Sequence, residues 1–466
     1  MDIEQKDPQV ELREDVELDP VKLKKLVRKI DLWLMPAIWI IYLLSFVDRT
    51  NIGLAKVAGM EDELNISANE YYLTIALFQV GYVVAEIPSN MILSVTRPSL
   101  YIPTLMALWG AVAAALGAVK TTQQLIGLRV LLGIFEAGFS PAVLFLISTW
   151  YRPEEQSKRF ITFLSAAIMS GAFGSIVSGA ITSGMDGAHG IPGWRWLFII
   201  EGVATVGAAL VAPFFLLDYP STSKRLTEEE RYMAFERLQR SGVTSPHHQQ
   251  SRAGHVKALT GAILNWRVWL LSLAYMSVVG SLSLSYFYPT LVKGLGYSST
   301  NAQFMTAPLF VVALVIAIPT CILADRMSKR NGYFANRAFF VTVVLGTGGI
   351  FCALAAGIHA YVPRYVFLCF INSAIWTANP LALSFASTCL RSVDPEQRAV
   401  SLAIINGSGN LAQLYGSALF PGTDAPVYLK GFGVYAGLLI IGASMYSAAY
   451  FAFQKWPFKR SPEVEE

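Results

Sequence analysis

The chain has 466 residues, 54% of them hydrophobic and 15% charged, with a mean hydropathy of +0.47. That balance lies outside the range of soluble domains and is the composition of an integral membrane protein. A net charge of +4 is too small to point to nucleic acid. No CxxC spacing accompanies Cys321, Cys352, Cys369 and Cys389, and no span carries a metal cluster, nucleophile elbow or phosphate loop, so neither an enzyme nor a resident metal or cofactor is expected.

Residues 1–30 are polar, open on an acidic stretch and show no signal-peptide pattern, so they read as a cytoplasmic tail. Crossing a bilayer takes about 20 mostly apolar residues. Twelve segments meet that length, at about 31–55, 71–95, 99–119, 123–149, 158–183, 194–217, 267–291, 302–324, 336–357, 361–389, 397–420 and 430–453. Six precede and six follow a polar insert. The expected order is therefore an amino-terminal six-helix bundle at 31–218, a cytoplasmic central loop at 219–265, a second bundle at 266–454, and a short tail at 455–466. Thr227 followed by Glu230 is a capping-box pattern, predicting a short surface helix ahead of the flexible stretch SPHHQQSRAGH.

The great majority of the 36 Lys and Arg residues fall on the side of the two tails and the insert, which places both termini in the cytoplasm. Lys56, Lys120, Arg195, Lys293, Arg364 and Lys430 fall on the other side, where Asn65-Ile66-Ser67 forms a glycosylation triplet. The halves also repeat: Ser67, Ala76 and Asn90 keep the mutual spacing of Ser298, Ala307 and Cys321, and the same offset maps Ser94 onto Asp325. In LADRMSKR, Asp325 and Arg326 are expected at a cytoplasmic turn between spans, in a gating role. These features describe an all-α integral membrane protein of twelve transmembrane helices in two six-helix pseudo-repeats. Secondary transporters built this way hold their substrate near the midplane, between the repeats.

Four charged groups stand inside the first-half spans, where insertion costs at least about 2.5 kcal/mol each. Asp48 and Arg49 lie in the first span. Arg129 and Glu136 lie in the fourth, seven residues and so about 10 Å apart on one helix face. Gly133 and Ser140 share that face and are expected to thin it into the wall of a wet cavity. A guanidinium holds a carboxylate with a planar fork of donors, and a carboxylate beside it takes up and releases a proton as occupancy changes. Arg49 and Arg129 are thus expected to bind an anion, and Asp48 and Glu136 to couple its movement to protons. The competing reading makes them structural ion pairs.

Glu86 lies deeper toward the cytoplasmic end, consistent with gating, and Gln79 and Tyr82 precede it by two turns and one turn as candidate cavity residues. In the second half, Asn372, Trp376 and Asn379 in the tenth span and Asn406, Asn410 and Gln413 in the eleventh are neutral groups suited either to reading the rest of a substrate or to polar packing. SGAFGSIVSGA in the fifth span reads as a close-packing face.

At these residues the sequence resembles the major facilitator superfamily and, within it, the anion:cation symporter family, over nearly the whole chain. LADRMSKR is similar to the superfamily's cytoplasmic loop signature. Its first-half counterpart, NMILSVTRPS, departs from it, with Ser94 where an acid is expected and Val95 where a base is expected. RVLLGIFEAGFSP at 129–141 and DRTNIG at 48–53 resemble the symporter family's fourth-span and first-span signatures. EIPSNMILS, GWRWLFIIEG and LTEEER resemble the fungal branch that includes allantoate and nicotinate permeases. The resemblance implies the major facilitator fold and proton-coupled uptake of a small organic anion such as a vitamin, ureide or organic acid across the plasma membrane. It carries binding roles to Arg49 and Arg129 and coupling roles to Asp48 and Glu136. The partners expected are the anionic substrate, the coupling proton and the lipid bilayer, with the chain a monomer. Export of an acidic metabolite is the alternative, and a non-transporting nutrient sensor, which short tails disfavour, is a third.

Overall fold

A computed structural model describes residues 20–456, apart from 221, 222, 224, 240–251, 332, 359, 391, 392, 394, 417, 418, 420–423, 425 and 426. The first half contains α1 (Pro20–Ala55), α2 (Ala68–Val95), α3 (Pro98–Leu116), α4 (Thr122–Glu136), α5 (Phe139–Trp150), α6 (Pro153–Gly184) and α7 (Gly193–Val211). The central segment holds α8 (Glu228–Gln239) and α9 (Arg252–Ile263). The second half contains α10 (Trp266–Leu282), α11 (Tyr288–Lys293), α12 (Ser299–Asn331), α13 (Tyr333–Gly357), α14 (Tyr361–Cys389), α15 (Pro395–Gly416) and α16 (Leu429–Lys455).

Helices α4 and α5 form one crossing, as do α10 and α11 with the 3-10 turn Ser283–Tyr286 between them, giving twelve crossings in all. Eleven are long and apolar enough to span a bilayer on composition alone. The twelfth, α15, is interrupted by Asn406, Asn410 and Gln413. It packs along α10.

Each half packs the same way. In the first, α1 lies on α6, α2 on α4, and α3 on α7; in the second, the equivalent pairs are α10 on α15, α12 on α14, and α13 on α16. Where the halves meet, α6 packs on α12 and α2 on α15. Glycines set the approach. A Cβ at Gly202 would strike Ala114 of α3, and one at Gly179 would lie 2.9 Å from the Phe304 ring of α12. The fifth-span glycine face is therefore the seam between halves, with Gly171 lying against Phe310.

Several expectations need correction. The fourth span is not continuous, because Pro141 has no N–H for the Ala137 carbonyl and its ring crowds that turn, so the helix restarts after Gly138. Gly133 does not thin a wet wall. A Cβ there would collide with the Phe78 carbonyl, so α2 fills the space. LADRMSKR is no turn either, since α12 stays helical through Asn331. The first helix begins at Pro20, and its basic extension is held by the central segment: Lys22 pairs with Glu229 and Lys29 with Glu230, both at 2.7 Å. The Thr227–Glu230 capping box forms as read, with Glu230 N to Thr227 Oγ1 at 3.2 Å and Thr227 N to Glu230 Oε2 at 3.0 Å. Of the stretch read as flexible, 245–255, residues 245–251 lie outside the described residues, while 252–255 are not flexible loop but the first turn of α9, which was not expected. All four cysteines are buried free thiols.

Candidate functional site

Helix α1 carries Ser45, Phe46, Asp48 and Arg49 into the centre of the first half, where α4 presents Arg129 and Glu136. The contact that forms is neither of the same-helix pairs. Arg49 donates through Nε and Nη2 to Oε1 of Glu136, at 3.1 and 2.7 Å, and Ser45 Oγ donates to the same oxygen at 2.5 Å. Oε2 of Glu136 is buried with no hydrogen-bond partner among the described residues. The bridge is dry: the Glu136 side chain is 1% exposed and that of Arg49 11%.

The Arg49 guanidinium sits among aromatic rings, 4.8 Å from the centre of Phe46, 5.2 Å from Phe78 and 4.9 Å from Tyr82. In a desolvated setting such a face contributes about 2 kcal/mol to holding a cation, more than at an exposed site. Arg129 approaches Phe78 at 4.9 Å. It is fully buried and bonds only weakly, from Nε to the Thr74 carbonyl at 3.5 Å and from Nη2 to the Arg49 carbonyl at 3.3 Å. Among the described residues it has no ion pair, and its Nη1 has no partner. In this conformation Arg129 is a buried positive charge behind the Arg49–Glu136 bridge and has no exposed surface.

Asp48 is 2% exposed and accepts a hydrogen bond from Thr205 Oγ1 of α7 at 3.0 Å. One turn before Thr205 stands Glu201, 5% exposed, with neither carboxyl oxygen bonded among the described residues. The sequence reading passed over Glu201, although the criterion that flagged Asp48, a lone charge in an apolar span, flags it equally.

The second half closes one end of this site. Gln79 Nε2 donates to Gln413 Oε1 of α15 at 2.7 Å and lies 3.5 Å from the Tyr286 hydroxyl, while Tyr71 donates to the Tyr286 carbonyl at 3.3 Å. A Cβ at Gly53 would collide with that same carbonyl, which explains the glycine in DRTNIG. Gln303 of α12 accepts from Ser178 and Thr182 at 2.6 and 3.1 Å. These cross-half bonds all lie in the part of the molecule distal to the chain termini. Tyr286 was also missed, because its role depends on the 3-10 turn that breaks the seventh crossing, and no local pattern marks that turn.

The remaining predicted residues fall into two groups. Trp376, 8% exposed, faces the first half with its ring 6.2 Å from Phe46 and 6.5 Å from Phe310. Tyr82 flanks Arg49, and Asn410 is half-buried one turn before Gln413. Asn372 instead braces packing: it is fully buried and donates to the Leu309 carbonyl of α12 at 2.9 Å. Toward the terminal end, Glu86 is half-buried, Asp325 pairs with Arg337 of α13 at 3.2 Å, and Arg326 is exposed. Arg337 also donates to the Ser384 carbonyl and Thr388 hydroxyl at 3.0 and 2.6 Å, so Asp325 ties α12 to α14 through α13.

Two pseudo-equivalent six-helix halves, the first with a buried charged centre, form the architecture of a membrane transporter. The sequence pattern of the Major Facilitator Superfamily matches residues 38–417, and the chain belongs to that superfamily. A fungal relative, the MFS transporter prlL from Fungal sp. (strain NRRL 50135), is 34% identical over 428 residues, covering 90% of this chain and 84% of its own. A protein of Agrobacterium vitis named "Putative tartrate transporter" is 29% identical, covering 90% of this chain and 93% of its own. Among solved structures, the inward-facing, unoccupied bacterial homologue of the human lysosomal transporter Spinster aligns with a TM-score of 0.70 at 16% identity, over 93% of this chain and 99% of that one. The D-xylose–proton symporter aligns with a TM-score of 0.65 at 15% identity, over 88% and 96%. Both share the fold.

Proposed function

We propose that this transporter is a proton-coupled symporter of the anion:cation symporter family. In this reading it carries a small organic carboxylate inward across the plasma membrane by alternating access, as a monomer with both termini in the cytoplasm. The observation that carries the reading is the one-sided Arg49–Glu136 bridge: Glu136 offers Oε1 to Arg49 and Ser45 and leaves Oε2 bare.

An incoming carboxylate competes with Glu136 for the Arg49 fork. Once displaced, Glu136 is an ionised carboxylate in a dry site without its cation, which costs several kcal/mol. A proton on Oε2 removes that cost. Anion and proton therefore favour each other's binding, which is the thermodynamic requirement for symport. Arg129 lends its charge from behind, and Phe46, Tyr82 and Trp376 offer apolar walls, with Gln79 and Asn410 as polar contacts. Asp48 is the second coupling group. With the termini in the cytoplasm, the cross-half bonds at Gln79, Tyr286 and Gln303 close the outer side, so this conformation faces inward. Asp325, Arg326 and Glu86 then belong to the inner gate. Two positive charges at the site suit a dicarboxylate, one carboxylate on Arg49 and the buried charge of Arg129 behind it, and the tartrate-named relatives support that substrate class.

The test is uptake into proteoliposomes across a panel of carboxylates that includes tartrate, with and without an inward proton gradient. Gradient-driven accumulation of at least one carboxylate, lost in R49A, is expected. If every carboxylate only equilibrates, the coupling is wrong.

A further inference from the structure

Five ionisable side chains share the buried centre of the first half: Arg49, Arg129, Asp48, Glu136 and Glu201. Two are cationic and three acidic, and they act on one another electrostatically: Glu136 and, less strongly, Arg129 on Asp48, Arg129 on Glu136, and Asp48 on Glu201. The helices packed on α7 bring little other charge. Helix α3 has no charged residue, and neither does α6 from Phe160 onward. Helix α1 brings Asp48, and the π-helical turn Lys56–Met60 brings Lys56, which is paired with Glu61 at 3.3 Å. Glycines seal the site, since α3 and α7 meet at Gly110 and Gly202 with no room for a Cβ at Gly202.

Arg49 is compensated by Glu136. Arg129 can compensate one further acid, and two remain. Asp48 has a donor in Thr205, whereas Glu201 has none among the described residues. An anionic carboxyl with no donor in such a core costs several kcal/mol, while its neutral acid costs far less.

We propose that Glu201 is a resident proton site, holding one proton that keeps the five-residue cluster electrically neutral, with Asp48, which accepts from Thr205, the ionised acid. The proposal deepens the symport reading and rests on it for its consequence. A bound monoanion upsets neutrality by one charge, which one proton on Glu136 restores. A dianion needs a second proton, for which Asp48 remains, and no third acid is free. The cluster thus limits the cargo to one or two negative charges, each carried with one proton.

The resident proton can be tested without a substrate, by infrared spectroscopy of the purified full-length protein in lipid at neutral pH. Wild type should show the C=O stretch of a buried protonated carboxyl, shifted by slow exchange in D2O. E201Q should lose it. D48N should lose it as well, since Asp48 is the acid that acts on Glu201 and its removal lets Glu201 ionise. E136Q, which alters a group that acts on Asp48 and not on Glu201, should keep it. Absence of the band in wild type, or its survival in E201Q, overturns the assignment. If E201Q does not fold, survival of the band in D48N overturns it equally. The symport reading fails separately, by absence of proton-driven carboxylate accumulation in wild-type proteoliposomes.

Discussion

Arg49 on α1 and Glu136 at the end of α4 are joined through two guanidinium nitrogens to a single carboxylate oxygen, at 3.1 and 2.7 Å, while the second oxygen of Glu136 is buried without a partner. The two residues are far apart in sequence and lie on different helices. One therefore cannot release its partner without changing what the other binds.

The fork of Arg49, more than its charge, is expected to hold the substrate. Arg49→Ala should abolish uptake. Arg49→Lys keeps the charge but loses the two-pronged geometry, worth about 1.5–3 kcal/mol for a charge-assisted bond, so carboxylate affinity should fall by roughly 10- to 100-fold. Radioligand binding to both purified variants checks this. Equal affinity in Arg49→Lys and wild type would leave only a point-charge role.

The seam between α2 and α4 should be intolerant of added volume. A Cβ at Gly81 would lie 2.6 Å from the Val130 carbonyl, and one at Gly133 would overlap the Phe78 carbonyl. Gly133→Ala should therefore destabilise by about 1–3 kcal/mol or more, seen as a lower melting temperature in a thermal-shift assay. Gly207→Ala, where the added atom meets nothing within 4 Å, is the control and should be neutral or slightly stabilising.

The dock of α8 on α1 should weaken in acid. Partial burial pushes the Glu230 carboxyl up, but hydrogen bonds from Lys29, the Thr227 backbone and the Lys29 charge outweigh it and hold the group below the usual carboxylate range. A depressed folded-state value means that the contribution is fully present above the unfolded carboxyl value of about 4.3 and is lost as pH falls below it. For a pair this exposed the contribution is about 1 kcal/mol or less. Amide exchange in residues 228–239 should speed up several-fold in Glu230→Gln at neutral pH, and the difference from wild type should shrink toward pH 3. No difference from wild type at neutral pH would assign the dock to Arg237 and Trp150 instead, whose bond is 2.7 Å.

The twelve crossings were legible because apolar length is a local property, and so were the charges, because an Asp, Arg or Glu in such a run is conspicuous. Their partners were not. Same-helix spacing suggested Arg129 with Glu136, but pairing across helices depends on how α1, α2 and α4 close, and that is set by Gly81 and Gly133 meeting backbone. The break at Gly138 was foreshadowed by Pro141 and passed over. Tyr286 and Gln413 were beyond reach in another way, since they meet Gln79 only in a conformation that brings the two halves together at one end. Asn372 shows the converse limit: a polar residue in a span has the same signature whether it faces a cavity or, as here, a neighbouring carbonyl.

The most direct measurement is the number of protons taken up when a carboxylate that accumulates in the liposome screen binds the purified transporter in weakly buffered solution. Wild type should absorb one proton per negative charge bound. Glu136→Gln should still bind a monoanion and absorb none, while exchanging it across liposomes without accumulation. Binding by wild type with no proton uptake, or the same uptake in Glu136→Gln, would show that anion and proton do not contend for the Arg49–Glu136 bridge.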